Sequence, residues 1–275
     1  MFFQRVLPKK MLSEFLGFLA NLKGGVLTTA FIRFFIKKYK VNMEEALHSD
    51  PAYFNSFNSF FVRALKKDAR PLAAADLVCP VDGAISQCGR IEKDHIYQAK
   101  NKGFTTTALL GGDAQLASQF EQGRFATIYL SPKDYHRIHM PCKGYLKQMV
   151  YIPGDLYSVN PLTARTIDAL FARNERVVCL FEGESGPFVM VLVGATVVGS
   201  IQTQWHGVVN SPRPGNLQRW DYDGSLCLEK GAEMGRFRLG STVVLLFTDQ
   251  SYELNPMWQA ETPVRLGEAM SAPTI

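Results

Sequence analysis

The sequence predicts an α+β protein: a predominantly antiparallel β core, sandwich or barrel, with its helices gathered at the N-terminus. Two textures carry that expectation. From about Cys79 onward, short apolar runs punctuated by glycine place candidate strands at 84–91, 125–130, 145–152, 176–181, 188–193, 196–205 and 242–247. Before that point, residues 10–40 repeat apolar side chains at helical rather than alternating spacing. Composition suits a packed core, since 47% of the 275 residues are hydrophobic and 20% charged. That length fits one large domain or a domain with an appendage.

The N-terminal stretch comes first. Leu12, Phe15, Leu16, Leu19 and Leu22 recur at helical spacing with Phe18 beside them, Gly24-Gly25 interrupts, and Phe31, Ile32, Phe34, Phe35 and Ile36 resume the pattern. Neither run reaches the roughly 18–20 apolar residues of a spanning helix. Residues 1–40 hold eight basic side chains and one acid, Glu14, a charge of +7; the whole chain carries +5, so the remaining 235 residues carry −2. Charge confined to one segment argues against a general nucleic-acid surface and for a local anionic partner. A helical hairpin packed on the protein is one reading. An interfacial anchor, apolar face in the headgroup boundary and basic residues on anionic lipid, is better served by the scarcity of acids. The expected division is therefore 1–45, amphipathic helices that associate with a membrane, and 46–275, a β-rich domain.

A third helical patch is expected at 42–47. Phe57-Asn58-Ser59-Phe60-Phe61-Val62-Arg63 reads as core aromatics closed by a surface charge, and 161–172 as a short helix or helical turn. The cysteines (Cys79, Cys88, Cys142, Cys179, Cys227) are odd in number, scattered and without a CxxC pair, which fits a reducing compartment better than a disulfide framework or a zinc site. The first residues show no small-residue cleavage site of a secretory leader.

Three stretches carry chemistry. Pro80-Val81-Asp82-Gly83 places an aspartate in a turn at a strand start. Ser131-Pro132-Lys133-Asp134-Tyr135-His136-Arg137-Ile138-His139-Met140-Pro141 holds two of only five histidines, three apart. They lie on opposite faces of a continuing strand or on one face of a helical turn, and histidine is the side chain that titrates near neutrality. No supporting ligands at metal-site spacing accompany them. Last, Leu239-Gly240-Ser241-Thr242 opens an apolar run. Gly240 lacks a Cβ, so its backbone can take a geometry in which the Ser241 hydroxyl approaches the Gly240 carbonyl. Attack there would turn the peptide into an ester. Elimination would leave dehydroalanine, which hydrolyses to a pyruvoyl group.

The SPxDYHRxHxP string, PVDG, Gly194-Ala195-Thr196-Val197-Val198-Gly199-Ser200 and LGST together resemble the phosphatidylserine decarboxylases over nearly the whole chain. The resemblance implies an Asp-His-Ser triad at Asp82, His139 and Ser241, with cleavage between Gly240 and Ser241 into a long chain, 1–240, and a short chain, 241–275. A serine hydroxyl needs a neighbouring base, and a carboxylate can fix that base's tautomer, which agrees with the triad. Asp134 competes as orienter by proximity in sequence. The resemblance further implies a pyruvoyl cofactor derived from Ser241, forming a Schiff base with phosphatidylserine and releasing CO₂ and phosphatidylethanolamine. His136 is the candidate for holding the substrate carboxylate or supplying a proton. Tyr157-Ser158-Val159-Asn160-Pro161 resembles a stretch near the substrate, its roles open. A homodimer and a peripheral site on the cytoplasmic face of the cell membrane complete the expectation. Two other classes compete: a soluble pyruvoyl enzyme acting on a free amino acid, which has no use for the basic, apolar first 40 residues, and a non-catalytic membrane adaptor, which would show no backbone cleavage.

Overall fold

The computed structural model describes residues 9–272 apart from 100, 197–199, 212, 239, 240 and 250, with side chains from residue 13. Leu239 and Gly240, half of the expected cleavage site, lie outside the described residues. So does the Val197-Val198-Gly199 part of the GATVVGS segment.

The strands are, in chain order, β1 (Gly83–Arg90), β2 (His95–Ala99), β3 (Lys102–Thr105), β4 (Arg124–Leu130), β5 (Arg137–His139), β6 (Gly144–Ile152), β7 (Arg176–Gly183) and β8 (Gly186–Val193). There follow β9 (Ile201–Thr203), β10 (Gly207–Val208), β11 (Gln218–Asp221), β12 (Cys227–Leu228), β13 (Glu233–Phe237), β14 (Ser241–Phe247) and β15 (Pro263–Val264). Nine build one antiparallel sheet in the order β11-β6-β7-β8-β14-β4-β1-β15, with β12 also on β6; it does not close into a barrel. A four-stranded sheet, β10-β9-β13-β5, and the hairpin β2-β3 complete the β structure.

Strand β14 lies between β8 and β4, and every residue from Ser241 to Phe247 is buried. A strand covered on both faces has no reason to alternate, so its sequence is continuously apolar. Its two faces feed two cores. Val243, Leu245 and Phe247 pack with Ile138, Met234, Ile201 and Phe237 of the small sheet. Val244 and Leu246 pack with Phe104 of the hairpin and with Leu109, Leu116 and Phe171 of short helices. The large sheet is thus the middle layer. By the period of two, Ser241 shares the side of Val243, the side that faces the small sheet.

The N-terminal helices span Lys9–Asn21 and Val26–Tyr39 and meet at 115°. Ala20, Ile32, Phe54, Phe57, Phe60 and Phe61 form a separate third cluster with Phe35 packed against it. Four other aromatics of the expected anchor, Phe15, Phe18, Phe31 and Phe34, are 50–63% exposed. Phe31 and Phe35 both bring their rings 5.0 Å from that of Phe57, but only Phe35 is half-buried, with the Phe60 and Phe61 rings also against it at 6.0 and 6.3 Å.

Three local expectations change. Residues 42–47 are not helical: Asn42 accepts a hydrogen bond from the Glu44 amide at 3.0 Å, an Asx turn that competes with a helix, and Ala46 bridges to Leu65. The stretch 161–172 divides into Pro161–Ala164 and a second turn starting at Leu170, because Ala169 between them is left-handed at φ 51°. Arg63 is not a surface charge but is 4% exposed, tucked behind the helix Phe57–Phe61.

Candidate active site

Backbone pairing brings the three motif stretches together. The His139 amide donates to the Pro80 carbonyl at 2.9 Å, laying the PVDG turn beside the histidines. The Phe237 amide donates to the His136 carbonyl at 3.0 Å, so the end of β13 runs along the same segment. Ser241 is in register with Leu130, directly before Ser131. Gly83 is required by this crowding, since a Cβ there would stand 2.4 Å from the Tyr129 carbonyl oxygen.

Asp82 is 7% exposed and fully engaged. Arg70 donates to it through Nε (2.9 and 3.2 Å) and Nη2 (2.6 Å), and the Leu266 amide donates at 2.9 Å. The same guanidinium reaches Glu45 at 2.8 Å. Charge-assisted forks of this kind fix a carboxylate in direction. Asp134, the competing orienter, accepts from the Ser131 amide at 2.7 Å instead, and burial raises its pKa.

His139 and His136 differ in surroundings. His139 Nδ1 lies 2.8 Å from the Gly231 carbonyl, which can only accept, so a neutral ring carries its proton on Nδ1. Nε2 is then the lone-pair nitrogen, and the Tyr135 hydroxyl donates to it at 3.1 Å. Gly231 can present that carbonyl because it sits at φ +79°. Burial lowers the His139 pKa and pushes the Tyr135 hydroxyl up to about 12. His136 is completely buried, its ring stacked on Phe61 at 4.1 Å. Its Nε2 donates to the Ser131 carbonyl at 3.1 Å, leaving Nδ1 as a lone pair without a partner among the described residues. Burial, reinforced by the Arg63 charge, draws its pKa down to about 3. The ring is neutral at physiological pH.

Ser241 Oγ is buried and has no hydrogen-bond partner among the described residues; the same holds for Thr242 Oγ1, Ser131 Oγ and His136 Nδ1. Such atoms are rare in a settled interior, and here they gather around the first residues of one strand. Of these residues Ser131 lines a cavity of about 600 Å³, together with Asp82, Tyr129, Asp134 and Tyr135. A small group built from residue 241 and a bound substrate fits these unmet atoms. The described hydrogen bonds do not join Asp82, His139 and Ser241 into one chain: Asp82 is held by Arg70, and His139 by Gly231 and Tyr135. Asp82 acts on His139 through its field, which favours the charged imidazolium. Arg70, the Gly231 carbonyl and Tyr135 were not singled out from the sequence. Only Tyr135, inside the histidine string, gave any signal. Of the YSVNP stretch, Asn160 caps the turn Pro161–Ala164 by accepting from the Thr163 amide.

A family model described as phosphatidylserine decarboxylase matches residues 57–272, and a second, described as PSD, matches residues 1–40. The phosphatidylserine decarboxylase proenzyme of Herminiimonas arsenicoxydans is 62% identical over 269 residues, covering 98% of this chain and 92% of that protein. This chain belongs to the phosphatidylserine decarboxylase family. The proenzyme of Azoarcus sp. (strain BH72) is 61% identical over 268 residues, 97% of this chain and 93% of its own, and that of Chromobacterium violaceum 62% over 271 residues, 98% and 97%. With identity spread over this length, Ser241, whose hydroxyl has no partner among the described residues, falls inside the family's matched region.

Proposed function

We propose that this chain is a proenzyme that cuts itself between Gly240 and Ser241 and then converts phosphatidylserine to phosphatidylethanolamine and CO₂. The observation that carries the reading is Ser241 Oγ, buried without a partner among the described residues at the head of the central strand. In the cleavage, His139 Nε2 takes the hydroxyl proton once Tyr135 releases it, and Oγ attacks the Gly240 carbonyl carbon. The peptide C–N bond breaks as the ester C–O bond forms, and the nitrogen receives the proton. Elimination passes the Cα proton of residue 241 to a base and breaks its Cβ–O bond, leaving a carboxylate on Gly240 and dehydroalanine at 241. Water then replaces the nitrogen, which leaves as ammonia. Asp82, fixed by Arg70, stabilises the imidazolium formed on the way.

The pyruvoyl group so made supplies an electron-accepting carbonyl when CO₂ departs. His136 suits proton handling through Nδ1 better than grip on a carboxylate, since its only N–H is already given to Ser131. Residues 1–45 serve as the membrane-associating segment and 46–275 as the catalytic domain. No described helix is long and apolar enough to cross a membrane, and the exposed Phe15, Phe18, Phe31 and Phe34 suit a peripheral anchor on the cytoplasmic face. The working form is a homodimer of processed chains.

Release of labelled CO₂ from phosphatidylserine tests the reading. Wild type releases it and Ser241→Ala does not; equal release by both would overturn the pyruvoyl mechanism.

A further inference from the structure

Arg63 is buried in an unusual state for an arginine. Only Nη2 has a hydrogen-bond partner, the Lys133 carbonyl at 3.1 Å; Nε and Nη1 have none among the described residues. No described carboxylate forms an ion pair with it; the fields of Asp82 and Asp134 favour its charge from farther off, and the Phe60 ring lies 5.4 Å from the guanidinium carbon. Burial brings its pKa to about 10, so it remains a cation at neutral pH. Buried charges are ordinarily paired, and this one is not.

Arg63 lines the same cavity of about 600 Å³ as Asp82 and Ser131. Five cationic side chains and three carboxylates line it, and the carboxylates are committed. Arg70 takes Glu45 and Asp82, Arg265 also takes Glu45, and Asp134 accepts from the Ser131 amide. Arg63, Lys133 and Lys40 are left without an ion pair among the described residues. The cavity therefore holds surplus positive charge and unused donors.

We infer that Arg63, assisted by Lys133 and Lys40, is the subsite for the phosphodiester anion of the lipid headgroup. The inference rests on the decarboxylase reading, which sets what must lie where. The amine that reacts at residue 241 is only a few bonds from phosphorus, and Tyr129 and Ser131 of the cavity wall flank Leu130, the partner of Ser241 in register. A planar guanidinium can meet two phosphate oxygens at once, which a lysine ammonium cannot. The sequence reading of this arginine as a surface charge hid the site.

The test titrates processed protein by calorimetry with glycerophosphoethanolamine, which has the phosphodiester and amine but no carboxylate and no acyl chains. Serine and inorganic phosphate serve as separate probes. Wild type binds glycerophosphoethanolamine, Arg63→Gln weakens it about tenfold or more, and Arg63→Lys falls between; serine inhibition of turnover is unchanged in all three. Loss confined to serine would assign Arg63 to the carboxylate and overturn the inference. So would inorganic phosphate that binds through Arg63 without displacing glycerophosphoethanolamine, since the site would then serve a free anion. Self-cleavage into two chains and an unchanged melting temperature establish that each variant folds. Where Arg63→Gln fails that check, the exposed pair Lys40→Ala/Lys133→Ala replaces it and must weaken the same probe; unchanged affinity would overturn the inference. A wild type that binds the probe but releases no CO₂ would sink the decarboxylase reading and leave the anion subsite standing.

Discussion

At the residue scale, the two histidines three apart differ in what their nitrogens touch, and with that in the tasks proposed for them. His139 presents a lone pair at Nε2 behind a hydroxyl that can move, while His136 is sealed between Phe61 and the Ser131 carbonyl. His139→Ala and Asp82→Asn should therefore accumulate the uncut chain on a denaturing gel, and His136→Ala should cut normally yet release CO₂ at least about a hundredfold more slowly, the usual range for loss of a positioned acid or base. Uncut His136→Ala beside normally cut His139→Ala would reverse the assignment. A pH dependence follows from the same burial. The folded pKa of His136 is depressed from 6.5 to about 3, so the unfolded chain binds the extra proton between those values. Stability is then lost as pH falls below about 6.5, with a slope approaching about 1.4 kcal/mol per pH unit from this residue. Urea denaturation at pH 5 and pH 7 should show a difference that shrinks in His136→Asn. The motif residues were legible because serine, histidine and aspartate declare their chemistry within short windows. Arg70 and the Gly231 carbonyl were not: the latter meets His139 from 92 residues away, and a backbone oxygen has no sequence signature.

Among the elements, the two N-terminal helices divide their apolar residues between two partners. Ile32 and Phe35 belong to the cluster with Phe57, Phe60 and Phe61, whose last ring stacks on His136. Phe15, Phe18, Leu27 and Phe34 point away from it, the most exposed being Leu27 at 81%. Helical periodicity announced both helices but could not say which stripe packs inward, because the segment is apolar nearly all round. Phe35 was misjudged for that reason. Replacing Phe15, Phe18, Leu27 and Phe34 by serine should leave self-cleavage intact and cut co-sedimentation with anionic vesicles more than about tenfold, since each aromatic contributes on the order of 1 kcal/mol or more of apolar burial. The residual binding should vanish at high salt, where the basic residues are screened. Undiminished, salt-resistant binding would place the anchor elsewhere. Among the shorter elements, the expected strand at 196–205 is described at Ile201–Thr203, with 197–199 outside the described residues, and the helix at 42–47 yields to an Asx turn, a local polar contact that outweighs a weak pattern.

For the whole molecule, the organising fact is that Ser241, the proposed nucleophile, heads the fully buried strand β14 of the middle layer. The continuous apolar run after Ser241 made that strand legible, as did the antiparallel character of the core. The open sheet, the second sheet against it and the stacking of three layers were not, because order among strands depends on contacts distant in sequence. Leu245→Ala, in the centre of β14, should lower stability by about 2–5 kcal/mol in chemical denaturation without changing where the chain is cut. On the proposed reading, cleavage at the head of this strand would free its first residue while β4 and β8 hold the rest in register. The central claim is settled by the intact mass of the purified protein. Wild type should give two chains, 1–240 and 241–275, the second lighter than its sequence by one ammonia, and Ser241→Ala a single chain of 275 residues. A fully active wild type recovered as one uncut chain, or as a short chain that begins with an unmodified serine, would contradict it.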